Sequence, residues 1–480
     1  MKMSARSLRV GFVGLSLASY LAEKLGYRER SIDGLKQLSQ DWQFDLFTID
    51  EAVQSHADAE RAAAKLQEAE LDFLLIQNTS ISIGDQLIPL ICCAPRLGIW
   101  SLPDPSLAGE VQLHSLVALQ EHASILKRTL RTRQLHHKWF YDHVDSAIFL
   151  RRFGVTVRAL QGLLRLENAH IGSIGGVSPG FYNLEIDPRK IQQQVGVTLH
   201  EHDMEELVHL AEQEEQDAVT LQAKRMREAA AEVTVSNPET FQRVTRVYLA
   251  LKRMTQRHQY DALAVQCWSR IQELYGIVPC MAYSWLGSDD NLAVSCEGDI
   301  QGAISMLLLN ELIRAEQSST LLDLAAFDPN SPYMMMFHCG VTPRHFADEK
   351  GIRWVDHVTL GRFSDEAPVG VAGDLVFAPQ ADTTISYLGD DCSQILVARA
   401  KIVSHEPSGF DGTRGWFADF ELNQESISHW DLFNSLIING HEHHFAVCIG
   451  DVTDELLEFA NWKGLRLVKH IPYRDHLQCD

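Results

Sequence analysis

Short apolar segments alternate with longer helical segments over roughly the first two thirds of the sequence, and this alternation restricts the possible fold more than any other feature. The predicted strands are Leu8–Val13, Asp45–Thr48, Asp72–Ile76, Arg96–Trp100, His170–Ile174 and Asp261–Val265. Apolar strands separated by helices are typical of parallel sheets, because a parallel connection must cross over the face of the sheet. The pattern therefore predicts two parallel α/β domains, at residues 1–167 and 168–343.

The pattern changes after about Thr342. Strand-like segments then follow one another with turn residues between them: Asp374–Ala378, Gln394–Val403, Gly415–Leu422, His444–Ile449 and Leu465–Ile471. Few helical patterns intervene, which indicates a mainly β domain at residues 344–480, for which a small antiparallel barrel is one form. The predicted fold class is α/β, with two Rossmann-like parallel-sheet domains followed by a mainly antiparallel β C-terminal domain.

Two helices are predicted between the strands of the second domain. The charged segment Glu201–Val233 is predicted to form one long helix. Asn237-Pro238-Glu239 is predicted to begin the next helix, with Asn as the cap, Pro at the first helical position and an acid in the first turn. That helix is expected to continue to about His258.

The net charge and the cysteine content indicate the kind of binding partner and the cellular compartment to expect. The net charge is −22, which argues against nucleic acid or an anionic membrane as the main partner. There are nine cysteines and no CxxC pair, a pattern that favours free thiols in a reducing, cytoplasmic compartment. Met1–Ala22 could be a secretory signal or the first strand and turn of the sheet, and the uninterrupted strand–helix pattern downstream favours the strand.

Polar side chains that can bind ligands occur at two kinds of place. Gln77 and Asn78 follow the predicted third strand, where parallel sheets bind ligands, although such residues often only cap helices. Candidate metal ligands lie in four later segments: Ser295–Asp299, Leu321–Leu324, Met336–Gly340 and Gly440–Phe445.

Each metal-ligand candidate also has a structural explanation. Glu297 or Asp299 could cap the helix that follows, Asp323 could be a hydrogen-bonded buried acid, and His338 could be a core histidine. The sequence HEHH at His441 lacks the HExxH spacing of zinc proteases. Together, however, two carboxylates and two imidazoles without a thiolate suit Mn²⁺, Mg²⁺ or Co²⁺ better than a structural zinc ion.

Four ordered motifs resemble one known superfamily. The segments CEGDIQGAISML, LLDLAAFD, FHCG and GHEHHFAVCIGD are similar, in order and approximate spacing, to motifs of the L-fucose and L-arabinose isomerases. The resemblance is strong from about residue 260 onward and weaker before it. It implies a metal-dependent aldose–ketose isomerase that acts on a pentose, a deoxyhexose or a C6-modified hexose.

The resemblance also implies roles for individual residues. The implied metal ligands are Glu297, Asp323 and His444, with His338 as a fourth ligand as in the arabinose-type enzymes. Glu297 and Asp323 are the implied catalytic acid and base, and Mn²⁺ is the expected metal, with Mg²⁺ and Co²⁺ as alternatives. The implied substrate contacts are His443, Trp268, Arg414, Gln77 and Asn78.

The motifs leave the sugar and part of the function open. Members of the superfamily commonly form trimers or hexamers with sites at subunit interfaces, so a homo-oligomer is expected. An isomerase for an anionic hexose such as sulfoquinovose is an alternative within the superfamily, and it would need basic residues such as Arg344, Arg353 or Arg414 near the anionic group. A non-catalytic sugar-binding protein on the same fold is a further alternative.

Overall fold

The computed structural model describes residues 6–130, 135–314, 317–357 and 370–479. Ala5–Leu164 and Arg165–Asp480 form two compact units. The division into three domains at residues 167 and 343 stays a prediction. Residues 1–5 of the segment that resembles a secretory signal lie outside the described residues. No helix in the described part of the chain has the length and apolar character needed to cross a membrane.

The first unit is built around a parallel sheet. Its strands are β1 (Leu8–Leu15), β2 (Phe44–Thr48), β3 (Phe73–Asn78), β4 (Arg96–Ser101) and β5 (His136–Tyr141). They pair in the order β2-β1-β3-β4-β5, all parallel. Every residue of β3 is buried, which explains its continuous apolar sequence. The predicted parallel sheet is confirmed, and β5, whose sequence HHKWFY has few aliphatic residues, was not expected.

Helices connect these strands and cover the sheet. They are α1 (Ala22–Leu25), α2 (Tyr27–Trp42), α3 (His56–Gln67), α4 (Gly84–Leu87), α5 (Ser115–Ser124) and α6 (Ala147–Glu167). Small and aliphatic residues of α3, such as Ala59, Ala62 and Leu66, pack on the apolar sheet residues Leu74 and Ile76. The core of the first unit therefore lies between the helices and the sheet.

The second unit begins with another parallel sheet. The strands in this part of the chain are β6 (His170–Ile174), β7 (Thr198–His202), β8 (Glu232–Thr234), β9 (Ala262–Val265) and β10 (Ala293–Ser295). The strands β10-β9-β6-β7 pair in that order, all parallel, whereas β8 joins the C-terminal sheet. The helices are α7 (Pro188–Val195), α8 (Met204–Glu212), α9 (Gln216–Glu228), α10 (Pro238–His258), α11 (Arg270–Tyr275), α12 (Cys280–Asp289) and α13 (Ile300–Ile313).

One of the two predicted helices is correct and the other is wrong. Helix α10 begins as expected, and the Asn237 side chain accepts a hydrogen bond from the Glu239 backbone N–H. The single helix predicted over Glu201–Val233 is instead the end of β7, the helices α8 and α9, and β8. The chain bends between the two helices at Glu214, whose buried carboxylate pairs with Arg253 of α10 at 2.8 Å. A tertiary ion pair thus lies at the break in a segment whose local composition favours a continuous helix.

The rest of the second unit is rich in strands. They are β11 (Thr320–Phe327), β12 (Met334–His338), β13 (Arg353–Asp356), β14 (Val371–Val376), β15 (Asp382–Gly389), β16 (Gln394–Val403), β17 (Thr413–Leu422), β18 (Glu425–Ser426), β19 (His444–Ile449) and β20 (Arg466–Leu467). Helix α14 (His429–Ile438) lies between β18 and β19, and α15 (Thr453–Lys463) follows β19. The predicted β-rich C-terminal region is confirmed, and its sheet takes strands from both sides of residue 343.

Antiparallel pairing closes part of this sheet into a barrel. The closed order is β16-β15-β19-β11-β12-β17 and back to β16. The interior is apolar, lined by Leu324, Met334, Met336, Ile385, Leu396, Phe420, Phe445 and by Leu432 and Leu436 of α14. A closed barrel has no free edge, so its strands hold their register firmly.

The strand predicted at Leu465–Ile471 is largely wrong. Only Arg466–Leu467 pairs as a strand. Beyond it, the backbone N–H of Lys469 donates to Asn439 Oδ1 and that of Ile471 donates to Ser435 Oγ. Side chains at the end of α14 therefore take the hydrogen bonds that a neighbouring strand would otherwise supply.

Candidate metal centre

Neighbouring barrel strands position the histidines and one of the acids. Asp323 on β11 pairs directly with His444 on β19, and on its other side with Phe337 of β12, next to His338. Leu324 and Phe445, the next residues along the two strands, line the barrel interior. Side chains alternate along a strand, so Asp323 and His444 point away from that interior on the same face.

Glu297 comes from a tight loop of the parallel sheet, between β10 and α13. Its φ is 61° and that of Gly298 is 75°. A side chain at Gly298 would lie 2.0 Å from the Gly176 carbonyl oxygen, so only glycine fits there. The Ser178 backbone N–H donates to the Glu297 carbonyl at 2.9 Å. The loop is therefore held closely, and the Glu297 side chain meets the barrel face.

The four candidate ligands converge. His444 Nε2 lies 3.5 Å from Glu297 Oε2 and 3.6 Å from Asp323 Oδ1. One ligand atom from each of Glu297, His338 and His444 lies within 4.8 Å of the others. Two ligands bound to one cation at about 2.1 Å and roughly 90–110° lie about 3.0–3.4 Å apart. The separations of 3.5 and 3.6 Å around His444 Nε2 are slightly longer than this, so the side chains would move inward by a few tenths of an ångström to share one divalent ion.

Three buried polar atoms in this group fit the requirements of a bound cation. Asp323 Oδ1, His338 Nε2 and His444 Nε2 are buried and have no hydrogen-bond partner within the described residues. A buried polar atom left unpaired costs about 1–3 kcal/mol. Such costs at one place are offset if the atoms share a bound cation, and a donor set of carboxylates and imidazoles suits Mn²⁺ or Mg²⁺ chemistry.

Asp299 orients His444 for that purpose. His444 Nδ1 donates to Asp299 Oδ2 at 2.9 Å, which leaves the lone pair of Nε2 directed at the other ligands. Tyr387 O–H donates to Asp299 Oδ1 at 2.8 Å, and the same oxygen accepts the Gly302 backbone N–H as the cap of α13. Of the two acids that could cap this helix, Asp299 is the cap and Glu297 is left available to the site.

Neighbouring residues in the site shift the pKa values of His444 and Glu297. Burial acts to lower the pKa of His444, but the hydrogen bond to Asp299 and the charges of Asp323, Asp299 and Glu297 raise it to about 9. Burial acts to raise the pKa of Glu297, but the hydrogen bond from His443 and the nearby His444 and His338 lower it. A cation bound here would replace the proton on His444.

His338 differs from His444 in its hydrogen bonding. Its Nδ1 accepts the backbone N–H of Cys339 at 2.8 Å. The neutral ring then carries its hydrogen on Nε2, so binding a cation through Nε2 requires the other tautomer or a flipped ring. Its role as a fourth ligand stays a prediction.

His443 faces the same group and is more exposed. Asn183 Nδ2 donates to His443 Nδ1 at 2.9 Å, so Nε2 carries the hydrogen that faces Glu297 Oε2 at 3.3 Å. Phe181 stacks on the His443 ring, with centroids 5.2 Å apart, and meets Trp268 edge-on at 5.9 Å. Phe181 and Asn183 follow a Gly/Ser/Pro loop, and nothing in the local sequence marks them as site residues.

The other predicted substrate contacts lie elsewhere. Arg414 on β17 is buried, and its guanidinium pairs with Asp374. Gln77 and Asn78 end β3 in the first unit and are fully buried. Gln77 Nε2 donates to Ser31 Oγ at 2.8 Å. Arg414 is not among the residues that group around His444, Gln77 and Asn78 belong to the first unit, and the substrate roles of all three stay predictions.

Sequence comparisons associate the chain with isomerases. It is 26% identical to sulfoquinovose isomerases of Priestia aryabhattai and Priestia megaterium over 448 residues, covering 92% of this chain and 94% of each relative. It is 25% identical to the sulfoquinovose isomerase of Alkalicoccus urumqiensis over 376 residues, covering 77% of this chain and 80% of the relative. No protein-family model matches.

These similarities extend along most of the chain and support an isomerase family, without singling out fucose or arabinose isomerases. A solved sugar ABC transporter from Yersinia enterocolitica is 10% identical and covers 64% of this chain and 78% of its own length. Its TM-score of 0.16 is too low to bear on fold or function.

Proposed function

We propose that this protein is a divalent-metal-dependent aldose–ketose isomerase, which transfers a proton between C1 and C2 of a sugar. The observation that carries the proposal is that Glu297 Oε2 and the unsatisfied Asp323 Oδ1 both lie within 3.6 Å of His444 Nε2, itself unsatisfied and buried, with His338 close by. The similarity to sulfoquinovose isomerases supports the reaction class. A cytoplasmic homo-oligomer, trimeric or hexameric, is proposed from the sequence resemblance.

Glu297, Asp323 and His444 would hold the metal, with His338 as the fourth candidate. When bound, a divalent cation polarises a sugar carbonyl and lowers the cost of negative charge on its oxygen. Asp299 keeps the proton of His444 on Nδ1, and His443 donates its Nε2 hydrogen toward Glu297. When a sugar binds, the Nε2 hydrogen of the partly exposed His443 would turn from Glu297 to a sugar hydroxyl.

Glu297 and Asp323 are the proposed acid and base. The lowered pKa of Glu297 keeps its carboxylate ionised at neutral pH and able to accept a proton from carbon. Asp323, on the barrel strand β11, is about one third exposed and would carry a proton between the two sugar oxygens. Two carboxylates from separate elements can thereby act at different atoms of the same substrate.

Sulfoquinovose is the first sugar to test, because the relatives are named for it. The arginines suggested from the sequence are already in ion pairs: Arg344 with Asp289 at 2.8 Å, and both Arg353 and Arg414 with Asp374. A sulfonate at C6 would have to compete with these carboxylates or bind to other groups.

The test is turnover by metal-free protein to which Mn²⁺, Mg²⁺ or Co²⁺ is restored, with sulfoquinovose, L-fucose, D-arabinose and L-arabinose. We expect ketose formation that EDTA abolishes, followed by NMR. In D₂O, deuterium at the carbon that receives the proton would identify proton transfer, because a hydride shift incorporates none. Sugar binding without turnover under every metal would contradict the proposal and favour the sugar-binding alternative.

A further inference from the structure

A pair of buried thiols lies beside the proposed catalytic loop. Cys267 follows β9 and Cys296 follows β10, its neighbour in the parallel sheet. Their Sγ atoms are 3.1 Å apart, with the Cys296 S–H donating to Cys267. Both side chains are buried, and Cys296 directly precedes Glu297.

We infer that Cys267 and Cys296 form a reversible disulfide when a peroxide oxidises them, and that this bond inactivates the enzyme by displacing Glu297. The inactivation rests on the proposed function, whereas the bond itself does not. A disulfide brings the two sulfur atoms to about 2.05 Å. The atoms must therefore approach by about 1 Å from their present separation.

The loop cannot absorb that movement without shifting Glu297. The Gly298 backbone N–H donates to the Val265 carbonyl at 3.2 Å, and the Asp299 N–H donates to the Cys296 carbonyl at 3.0 Å. Gly298 also packs against the Gly176 backbone too closely for any side chain. A displacement of about 1 Å at a catalytic group can cost about 10²-fold in rate.

The chemistry is balanced by one molecule of hydrogen peroxide. Cys267 loses its proton and attacks one peroxide oxygen, the O–O bond breaks with release of hydroxide, and a sulfenic acid forms on Cys267. Cys296 then attacks the Cys267 sulfur and displaces hydroxide. The two thiols lose two protons and two electrons, and the peroxide is reduced to two waters. A thiol or phosphine reductant reverses the bond.

Burial limits which oxidants can reach the Cys267 and Cys296 thiols. Cys267 and Cys296 are both almost fully buried, so oxidation by a bulky disulfide, which must contact the sulfur directly, is disfavoured. A small peroxide is the oxidant that fits the enclosed position. Cys280 is engaged differently, since its Sγ lies 3.3 Å from His357 Nε2. The exposed thiols, Cys92 and Cys479, supply a matched control.

The experiment treats the full-length, Mn²⁺-loaded protein with hydrogen peroxide, quenches it with catalase, alkylates free thiols and maps peptides by mass spectrometry. We expect a Cys267–Cys296 cross-linked peptide, at least a tenfold loss of isomerase activity, and recovery of both with a phosphine reductant. Cys267→Ser and Cys296→Ser should resist inactivation, and Cys267→Ala repeats the test if a serine variant fails to fold. The double variant Cys92→Ser/Cys479→Ser should respond like the wild type.

Peptide mapping detects the disulfide and calorimetry measures the Mn²⁺ affinity, and neither measurement requires isomerase activity. If the sugar panel shows no activity but the cross-link forms and weakens Mn²⁺ binding, only the proposed function fails. Absence of the cross-linked peptide at a peroxide dose that inactivates the wild type would overturn the inference. Equal inactivation of Cys267→Ser, or a full cross-link with activity and Mn²⁺ affinity unchanged, would overturn it as well.

Discussion

Two buried polar clusters, one in each unit, differ in how their polar atoms are satisfied. In the first unit, Gln77 and Asn78 at the end of β3 are neutral and bond to local hydroxyls, as when Ser82 Oγ donates to Asn78 Oδ1 at 2.9 Å. In the second unit, the cluster of Glu297, Asp323, His338 and His444 is ionisable, its side chains group around His444, and three of its buried atoms have no hydrogen-bond partner in the described residues.

Burial of polar residues at strand ends is thus a weak sign of a binding site. In the β3 cluster, Asn78 bonds through both Oδ1 and Nδ2 and Gln77 through Nε2, and the atom left without a partner in the described residues, Gln77 Oε1, belongs to a neutral amide. The second cluster keeps two carboxylates and two imidazoles close together, which costs free energy unless a cation is bound. The predictions below test whether this difference has functional consequences, from the largest expected effect to the smallest.

Glu297→Gln and Asp323→Asn should each reduce isomerase activity by about 10³-fold or more, because each removes a proposed proton-transfer group and a metal ligand. Steady-state rates with restored Mn²⁺ measure this. The matched control is Glu442→Gln, a buried carboxylate in the same region whose pKa is raised mainly by burial and which bonds to Gln301. Half the wild-type rate in either site variant would refute the assignment.

Mn²⁺ affinity should weaken as pH falls, by about tenfold per unit between pH 8.5 and 6.5, because the cation must replace a proton on His444, whose pKa is about 9. Conversely, this raised pKa stabilises the metal-free fold below about pH 6.5, and that stability is lost as pH rises through about 9. Calorimetric titrations and melting temperatures across this range test both signs. A pH-independent affinity would contradict them.

Asp299→Ser should weaken Mn²⁺ binding by about 10–100-fold, because serine can still cap α13 but cannot reach His444. Tyr387→Phe, which removes one donor to Asp299, should have a smaller effect in the same direction. Mn²⁺ affinity is measured together with the melting temperature of the metal-free protein. If the melting temperature falls while the Mn²⁺ affinity is unchanged, Asp299 serves the helix alone.

Gln77→Leu should destabilise the first unit by about 1–3 kcal/mol, because it leaves the buried Ser31 hydroxyl without its donor. Urea unfolding measures the loss, which should be independent of pH because an amide does not titrate. Asn78→Ala is the companion variant. KM for the sugar, measured on both, tests the predicted substrate contact: a rise of more than about tenfold with stability retained would support it.

Much of the fold could be predicted because its signals are local. Apolar runs identified the strands β1, β3, β6 and β16, and the Asn-Pro-Glu triplet identified the start of α10. The prediction for Glu201–Val233 was wrong because its composition favours helix throughout, whereas the residue at the bend, Glu214, pairs with Arg253 of α10, far along the chain. The strand expected near Leu465 was lost to side chains of α14 in the same way.

The sequence by itself determined the fold class and the identity of the candidate ligands, because apolar periodicity and the order of acid- and histidine-bearing motifs are properties of the linear chain. Only the tertiary structure decided which of them meet. Barrel pairing places Asp323 against His444, Asp299 takes the helix cap that Glu297 could have taken, and Cys267 comes to lie against Cys296. Such contacts depend on strand register and loop closure between distant segments, which no local pattern encodes.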